Sequence, residues 1–535
     1  MNTDDDNIFG EDESTQLITT SGKQKEAEEY EKIIDSVGFG YFQWKLLFIC
    51  GWALASDSTE VQVVSFVIPA ACDLGMTSSE KGWLNGIIFV GMMIGGYVFG
   101  GAADIKGRRY VLLWSMTING LFGLASSFAP TFGWFLLLRM LSGIGVGAAM
   151  PVLFSYFVEF MRKETRGRMI TLFASFWMVG NIITSAIAWL LIPKVHIGGQ
   201  LGSIYYGSWR IFVAVGSFPS LSSAVLFFFL PESPKFMMQN NQVERAKKAF
   251  IKIFKQNNGK HSSVPACILG IETPDGNEYN KKREISISDP DMCTFCQCLC
   301  ESLKTLQKVL HSTYDLFCKP YTSISIILLF IWITLSFGYY GLWMWFPEIF
   351  KRIKEGRGGC GGATHHNMGA NFTTFDNRTC VEKVEAETEI YFQSFLIALS
   401  NLPGNIICYL LIDRIGRRNL LAGTMVLSAV CVFFFWFVDT KIKMLIMSCF
   451  FSALSVCGWN ALDPLALENY PTHLRSSAFG LQASVGRVAA ILGNVVFGEL
   501  VDLHCSIPLL LVAGMLALGG LSSLKLPKTE DTALT

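Results

Sequence analysis

The stretch GGAADIKGRR (residues 100–109) decides the fold, because YLLIDRIGRR (residues 409–418) repeats its charged positions 309 residues later, from Asp104 to Asp413. Each copy ends a long apolar segment. The positions that recur at this one offset are Asp104, Gly107, Arg108, Arg109, Glu159 and Arg166 in the first copy, and Asp413, Gly416, Arg417, Arg418, Glu468 and Arg475 in the second. So many matches in one register predict two copies of one membrane unit.

Composition supports a polytopic membrane protein. Of the 535 residues, 51% are hydrophobic and 16% charged, which is too apolar for a typical soluble chain. The net charge of +0 argues against a nucleic-acid partner. No nucleotide-binding loop, nucleophile elbow or zinc-protease motif is present, so the sequence predicts neither an enzyme nor a cofactor or bound metal.

A window of roughly 20 apolar residues, the length that spans a bilayer, selects twelve segments in an all-α fold of two six-helix halves. They lie near 45–70, 83–103, 110–128, 132–156, 168–193, 208–230, 321–346, 390–412, 419–438, 442–466, 476–500 and 506–525. The predicted division is an acidic tail (1–44), an N-terminal half (45–234), a central loop (235–319), a C-terminal half (320–527) and a short tail (528–535).

The short loops predict the orientation of the chain. Most of their Lys and Arg residues fall on the side of 100–109 and 409–418, whereas the short loops near 74–82 and 129–131 carry Lys81 alone. The positive-inside rule then places both termini and the central loop in the cytosol.

The loop 347–389 is accordingly expected outside the cell or in a vesicle lumen. It holds two sequons, at Asn371 and Asn377, which are glycosylated only on that side. Cys360 and Cys380 are a candidate disulfide in the same oxidising compartment. The alternative is a flexible Gly-rich loop whose asparagines stay unmodified.

Ionisable residues inside the predicted spans are candidates for function, because each costs about 3 kcal/mol or more unless it is paired or faces water. Asp57 and Glu60 share one face of the first helix, which suits proton or cation binding. Arg487 is the expected counter-ion of that face or of an anionic ligand. The alternatives are polar contacts with no transport role and a purely structural ion pair.

The Asp-x-x-Gly-Arg-Arg pattern resembles the signature of the major facilitator superfamily, as do Arg139-x-x-x-Gly143-x-Gly145-x-Gly147 and the run 231–234 (PESP). The resemblance implies that the repeated charges form cytosolic locks between the two halves. The Gly-rich segment before Asp104 is expected to let another helix approach closely. Arg139 is expected to pair inside the N-terminal half.

A narrower resemblance is to the synaptic vesicle glycoprotein 2 family, in the runs LSGIGVGAAMPVLFSYFVEF (141–160), SFGYYGLWMWFPEIF (336–350) and WNALDPLALENYP (459–471). The loop 347–389 is shorter than is usual in that family. The resemblance implies a central cavity lined by Trp177, Tyr339, Tyr340, Trp459, Asp463 and Arg487, and Asn460 lies beside Trp459. Other tryptophans, Trp332 and Trp343 among them, are assigned to packing.

Three further signals lie in the predicted cytosolic segments. Glu13, Leu17 and Ile18 match an acidic dileucine address that a clathrin adaptor could read. The cysteine cluster at 293–300 fits free thiols best, with palmitoylation as the alternative. The stretch 236–256 is predicted to be a short basic helix on the cytosolic surface, against the membrane lipid.

Together these features predict a secondary transporter of a small polar or organic-ion solute in a vesicle membrane, working by alternating access. The proton or cation site is Asp57 with Glu60. There are two alternatives. One is a vesicle-membrane regulator or scaffold with little or no flux, and the other is a plasma-membrane organic-ion or sugar carrier.

Overall fold

The computed structural model describes residues 29–527 except 195–196, 202–203, 260–261, 271–310, 312, 355–387, 438–439 and 505. The side chains of a few helical residues, Asp104 and Asp413 among them, also lie outside the description. Within it, twelve long helices form the body of the molecule, and we number them α1 to α12.

The N-terminal half contains the first six helices. They are α1 (Tyr41–Ala70), α2 (Ser78–Lys106), α3 (Arg108–Ser126), α4 (Phe132–Val158), α5 (Lys163–Leu191) and α6 (Ser208–Phe228). A two-stranded antiparallel ribbon, β1 (Gly199–Leu201) and β2 (Ile204–Tyr206), joins α5 to α6. The helices Pro234–Gln239, Val243–Asn258 and Ala266–Leu269 follow α6.

The C-terminal half contains the other six. They are α7 (Thr322–Trp343), α8 (Thr388–Ile415), α9 (Arg417–Phe434), α10 (Lys441–Glu468), α11 (Thr472–Leu500) and α12 (Ser506–Ser523). A short helix, Phe346–Lys354, continues from α7, and a 3-10 turn, Phe435–Phe437, follows α9. Ten of the described long helices are apolar enough to cross a membrane by length and composition alone. The remaining two, α1 and α3, are less apolar over such a length.

Packing repeats between the halves. Contacts α1–α5, α1–α6, α2–α4, α3–α4 and α3–α6 have counterparts α7–α11, α7–α12, α8–α10, α9–α10 and α9–α12. The two halves meet along α2–α11 and α5–α8, which are again related by a shift of six helices. The contacts therefore carry the same duplication that the sequence repeat predicts.

Close approach explains the glycines of α2. A Cβ on Gly91 would collide with the Met140 carbonyl of α4, and one on Gly95 would collide with that of Ile144. On α4, a Cβ on Gly143 would meet the Ile88 carbonyl in return. The expected close approach of another helix to α2 is confirmed, and that helix is α4.

Several details differ from the prediction. The span predicted over 168–193 is present as α5, with an interruption at Ser175 between Lys163–Ala174 and Phe176–Leu191. The basic helix predicted over 236–256 is two helices, because Asn241 takes a left-handed conformation (φ 54°) between them. The loop expected to begin at 347 instead begins as the helix Phe346–Lys354, whose Glu348 and Arg352 are buried.

The bundle has two ends, which we call the basic face, where the α2–α3 and α8–α9 turns lie, and the opposite face. At the opposite face, α1 and α2 contact residues that follow α7, α2 contacts the end of α11, and α5 contacts the start of α8. At the basic face, Arg108, Arg109, Arg417 and Arg418 bond to partners in their own half or in its flanking segments. The described bonds that join the halves at the ends of the bundle thus lie at the opposite face.

Candidate functional site

An aromatic cluster lies on the side of α7 that faces the N-terminal half. Tyr339 stacks on Trp343, with ring centroids 5.5 Å apart, and Trp332 meets Trp459 of α10 edge-on at 5.3 Å. Tyr340 contacts both Trp459, at 6.0 Å, and Phe89 of α2, at 4.9 Å. Because Phe89 belongs to the other half, the cluster lies at the interface between the halves.

Two indole donors in this cluster are unsatisfied. The Nε1–H groups of Trp332 and Trp459 are buried and have no acceptor among the described residues. An indole N–H normally finds a partner when it is buried. These two groups are therefore available to a ligand or to water.

Two opposite charges border the cluster. Asp463, one helical turn after Trp459, and Arg487 on α11 are both half-buried, and both interact electrostatically with Tyr340. The Arg487 guanidinium donates one hydrogen bond, 3.3 Å long, to the Met92 carbonyl of α2. Neither Asp463 nor Arg487 has an ion-pair partner in the described part of the chain. Trp177 packs against the cores of both halves and therefore also lies at the interface.

Asp57 and Glu60 lie elsewhere. Both are fully buried, on the face of α1 that packs inside the N-terminal half. Glu60 forms an ion pair with Arg139 of α4 and accepts a hydrogen bond from Ser142, 3.2 Å long. Asn119 of α3 donates to one oxygen of Asp57 at 3.3 Å, and the other oxygen has no partner in the described residues.

The structure therefore divides the predicted cavity residues into two groups. The prediction that Arg487 is the counter-ion of the acidic pair is wrong, because Arg139 occupies that place and Arg487 bonds to α2. The expected pairing of Arg139 inside the N-terminal half is confirmed. Asn460 faces α8, where its amide donates to Asn405.

Sequence reasoning missed Trp332 and Trp343, which were assigned to packing. Their spacing does carry a signal, since Trp332, Tyr339 and Trp343 fall at i, i+7 and i+11 on one helical face. Trp332 contributes an unsatisfied donor and Trp343 a stacked ring, so both belong to the site.

The repeated charges act within each half. Arg108 pairs with Glu159 at 3.4 Å, and its counterpart Arg417 pairs with Glu468. Arg109 bonds to the Phe227 and Phe228 carbonyls at the end of α6, and Arg418 bonds to the Leu526 carbonyl after α12. The same bonds are thus made twice at equivalent places.

A third matched pair completes the pattern. Arg166 and Arg475 each donate to the carbonyl five residues earlier, at Met161 and Tyr470. Arg166 also pairs with Glu31, at 2.7 Å, in the helical segment 29–37 that precedes α1. In the described contacts, these charges bond within their own half and do not lock one half to the other as predicted. The side chains of Asp104 and Asp413 lie outside the described part of the chain.

The locking charges that do join the halves are at the opposite face. We call Lys81, Glu348, Arg352 and Asp502 the outer lock. Arg352 bonds to Glu348 at 3.1 Å, to Asp502 at 2.7 Å and to the Ser78 hydroxyl at 2.6 Å, while Lys81 reaches Glu348 at 2.6 Å. The lock ties the start of α2 to the C-terminal half.

Some predicted sites fall outside the described residues, namely Glu13, Leu17, Ile18, Cys360, Asn371, Asn377 and Cys380. Cys72, in the turn between α1 and α2, is disulfide-bonded. The described segments contain no group of three or more His, Cys, Asp or Glu side chains placed to hold a metal ion.

Comparison with known proteins fits this geometry. Residues 19–311 match the family model described as "Sugar (and other) transporter", and residues 377–534 match "Major Facilitator Superfamily". Synaptic vesicle glycoprotein 2C of Rattus norvegicus is 34% identical, over 95% of this chain and 81% of its own length. The chain belongs to the synaptic vesicle glycoprotein 2 family of the major facilitator superfamily.

Other members of the synaptic vesicle glycoprotein 2 family are similarly close. Synaptic vesicle glycoprotein 2B of Homo sapiens is 34% identical over 95% of this chain and 86% of its own length. Among solved structures, the inward open conformation of the xylose transporter XylE from E. coli aligns with a TM-score of 0.63, at 16% identity, over 92% of this chain and 98% of XylE. At that identity the likeness concerns the fold alone.

Proposed function

We propose that this member of the family is a secondary transporter that moves a small polar or organic-ion solute across a vesicle membrane by alternating access. What carries the proposal is one arrangement at the interface between the halves. An aromatic cluster lies there, bordered by Asp463 and Arg487, which have no ion-pair partner among the described residues. A site between two such halves is reached from one side at a time.

The chemistry of the aromatic cluster and the two charges beside it supports a small solute with both charged and apolar parts. Asp463 and Arg487 offer charges of opposite sign, the Trp332 and Trp459 indoles offer hydrogen-bond donors, and Tyr339 and Tyr340 offer flat apolar surfaces. Few placed polar groups within an aromatic wall are typical of small-molecule sites.

We propose that the basic face lies in the cytosol and the opposite face in the vesicle lumen. The lysine and arginine distribution supports this orientation. The disulfide at Cys72 supports it as well, because disulfides persist in oxidising compartments and Cys72 lies at the opposite face. The relatives named synaptic vesicle glycoproteins support the vesicle membrane.

Asp57 is the best candidate for the coupling proton. Its carboxyl is fully buried, and its described hydrogen-bond partner is the neutral amide of Asn119, whereas Glu60 already has Arg139. A buried carboxyl without a cation is stable when it carries a proton. Proton release would then accompany a change in the packing of α1 against α3.

Reconstitution tests the proposal. The purified full chain is placed in liposomes, and uptake of a panel of labelled sugars, amines and zwitterions is measured with and without a pH gradient. We expect uptake of at least one solute, lost in Asp463→Asn. Asp57→Asn should bind the solute but lose the stimulation by the gradient, and Glu244→Gln, at an exposed position on the helix Val243–Asn258, serves as the control.

Two results would count against this function. Absence of flux for every solute, with a protein that stays folded, would favour the vesicle-membrane regulator or scaffold. Gradient-driven uptake retained by Asp57→Asn would remove Asp57 from the coupling site while leaving transport in place.

A further inference from the structure

A small cavity lies between the halves on the opposite-face side of the aromatic cluster. Its volume is about 20 Å³. Its lining side chains come from α1, from the end of α7 and the start of the helix Phe346–Lys354, and from α8. They are Gln62, Ser65, Phe66, Trp343, Phe346, Pro347, Ser394 and Ile397. Since both halves contribute walls, the cavity is closed only while the opposite face is closed.

Two polar atoms of α1 in this cavity have no partner. Gln62 and Ser65 are 4% and 3% exposed, and both Gln62 Oε1 and Ser65 Oγ lack a hydrogen bond within the described chain. The amide nitrogen of Gln62 is already committed, since it donates to the Ser185 hydroxyl of α5 at 3.0 Å. That bond fixes which end of the amide remains unsatisfied.

Buried polar atoms are normally satisfied by protein or water. A cavity of about 20 Å³ is large enough for one water molecule, which needs about 10–15 Å³. The cavity therefore has room for one water molecule or for one hydroxyl group of a larger molecule.

The electrostatics of this cavity differ from those of the central site. Its described lining includes no Asp, Glu, Lys or Arg, and its apolar walls are the rings of Phe66, Trp343 and Phe346. A charged group would lose its hydration here without a counter-ion. A hydroxyl group loses little, because Gln62 and Ser65 replace its water.

The position of the two residues on α1 connects the cavity to the central site. At 100° per residue, Ser58, Gln62 and Ser65 form one stripe within about 60°, well apart from Asp57 and Glu60. Ser58 bonds to the Trp177 carbonyl at 2.8 Å, so the stripe leads from the central wall toward the opposite face.

We propose that this cavity is an outer subsite for a neutral, hydroxyl-bearing part of the solute, with Gln62 and Ser65 as the hydrogen-bonding residues. The inference rests on the proposed transport function and narrows its substrate class. When the outer lock opens, the solute enters past Trp343 and Phe346, and one of its hydroxyl groups takes the place of the water.

The test measures access and protection at residue 394, which lines the cavity from α8 and is not one of the two proposed hydrogen-bonding residues. Ser394→Cys is made in the full-length chain, purified and treated with N-ethylmaleimide, and modification of that residue is followed by peptide mass spectrometry. We expect modification of Cys at 394, slowed about tenfold when a neutral polyol from a panel (glycerol, myo-inositol, D-glucose) is present at about ten times its Kd. D-gluconate should not protect.

Two variants control for structure. Val63→Cys, at a fully buried position in the core of the N-terminal half, should stay unmodified. Adding Gln62→Ala to Ser394→Cys should keep the modification rate in buffer but lose the polyol protection. No modification at 394, equal protection by gluconate, no protection by any polyol, or protection that survives Gln62→Ala would each overturn the subsite.

The two proposals fail separately. Polyol protection without flux of any solute in liposomes would keep the subsite and reject transport. Flux without polyol protection would keep transport and reject the subsite.

Discussion

Arg139 of α4 and Glu60 of α1 form an ion pair that is sealed inside the N-terminal half, with neither side chain more than 1% exposed. Ser126 accepts two further bonds from the same guanidinium, at 3.1 and 2.9 Å. The pair is therefore held by α1, α3 and α4 together, and it lies inside the N-terminal half rather than at the interface between the halves.

This geometry predicts an asymmetric mutational response. Arg139→Ala should destabilise the protein by about 3–5 kcal/mol, because it leaves Glu60 buried without its cation. The double variant Glu60→Met, Arg139→Met should lose less, since both charges are removed. Thermal unfolding of the detergent-purified protein measures both, with exposed Arg245→Ala as control. A double variant no more stable than Arg139→Ala would contradict the pairing.

The outer lock should set how often the opposite face opens. Arg352→Ala removes the charge-assisted bond to the Ser78 hydroxyl, which joins the two halves and is worth about 1.5–3 kcal/mol, so the open population should rise about tenfold or more. Spin labels on Thr131 and Leu503, exposed residues of the two halves, report the separation. Lys441→Ala breaks an exposed pair with Glu389 inside the C-terminal half and should leave the distance unchanged.

The lock should also resist acid. Partial burial raises the pKa of Asp502, but hydrogen bonds from Ser78 and Arg352 outweigh it and bring the pKa below the ordinary value of 3.8. A depressed carboxyl pKa contributes stability above the ordinary pKa and loses it as pH falls through the folded pKa. The label distance should therefore stay constant from about pH 7 to 5. Opening in that range would assign the change to another group.

Helix approach in the N-terminal half should make Gly91 intolerant of a side chain. Gly91→Ala would push a methyl group onto the Met140 carbonyl and to within 3.0 Å of Gly143, costing about 1–3 kcal/mol. Gly423→Ala is the matched change on α9, where nothing lies within 4 Å, and should stabilise by about 0.5–1 kcal/mol. Equal melting temperatures for the two variants would refute the close packing of α2 on α4.

The sequence predicted the duplicated helical architecture because apolar length and charge spacing are local properties of the chain. It could not rank the partners of a buried charge. Arg139 and Arg487 both lie within apolar helices, and only packing decides that α4, not α11, lies beside Glu60. The same limit applies to Trp332, whose role depends on where α10 places Trp459.

Conformational state is also beyond the reach of sequence. The repeated charges resemble interdomain locks, yet Arg108 and Arg417 bind Glu159 and Glu468 of their own halves in this state. The outer lock leaves no repeat in the sequence, because Ser78, Glu348 and Asp502 come from unrelated segments. Ser78 and Lys81 of α2 reach Arg352 and Glu348 only when the two halves close.

The segment 29–37 has a practical consequence for anyone shortening the chain. Glu31 and Asp35 neutralise Arg166 and Arg162, and Tyr30 donates to the Glu159 carbonyl. A version trimmed to the start of α1 at Tyr41 would lose these contacts and leave Arg162 and Arg166, beside the α4–α5 turn, without these acidic partners. Tags and fusions are better joined upstream of residue 29, where every one of these contacts survives.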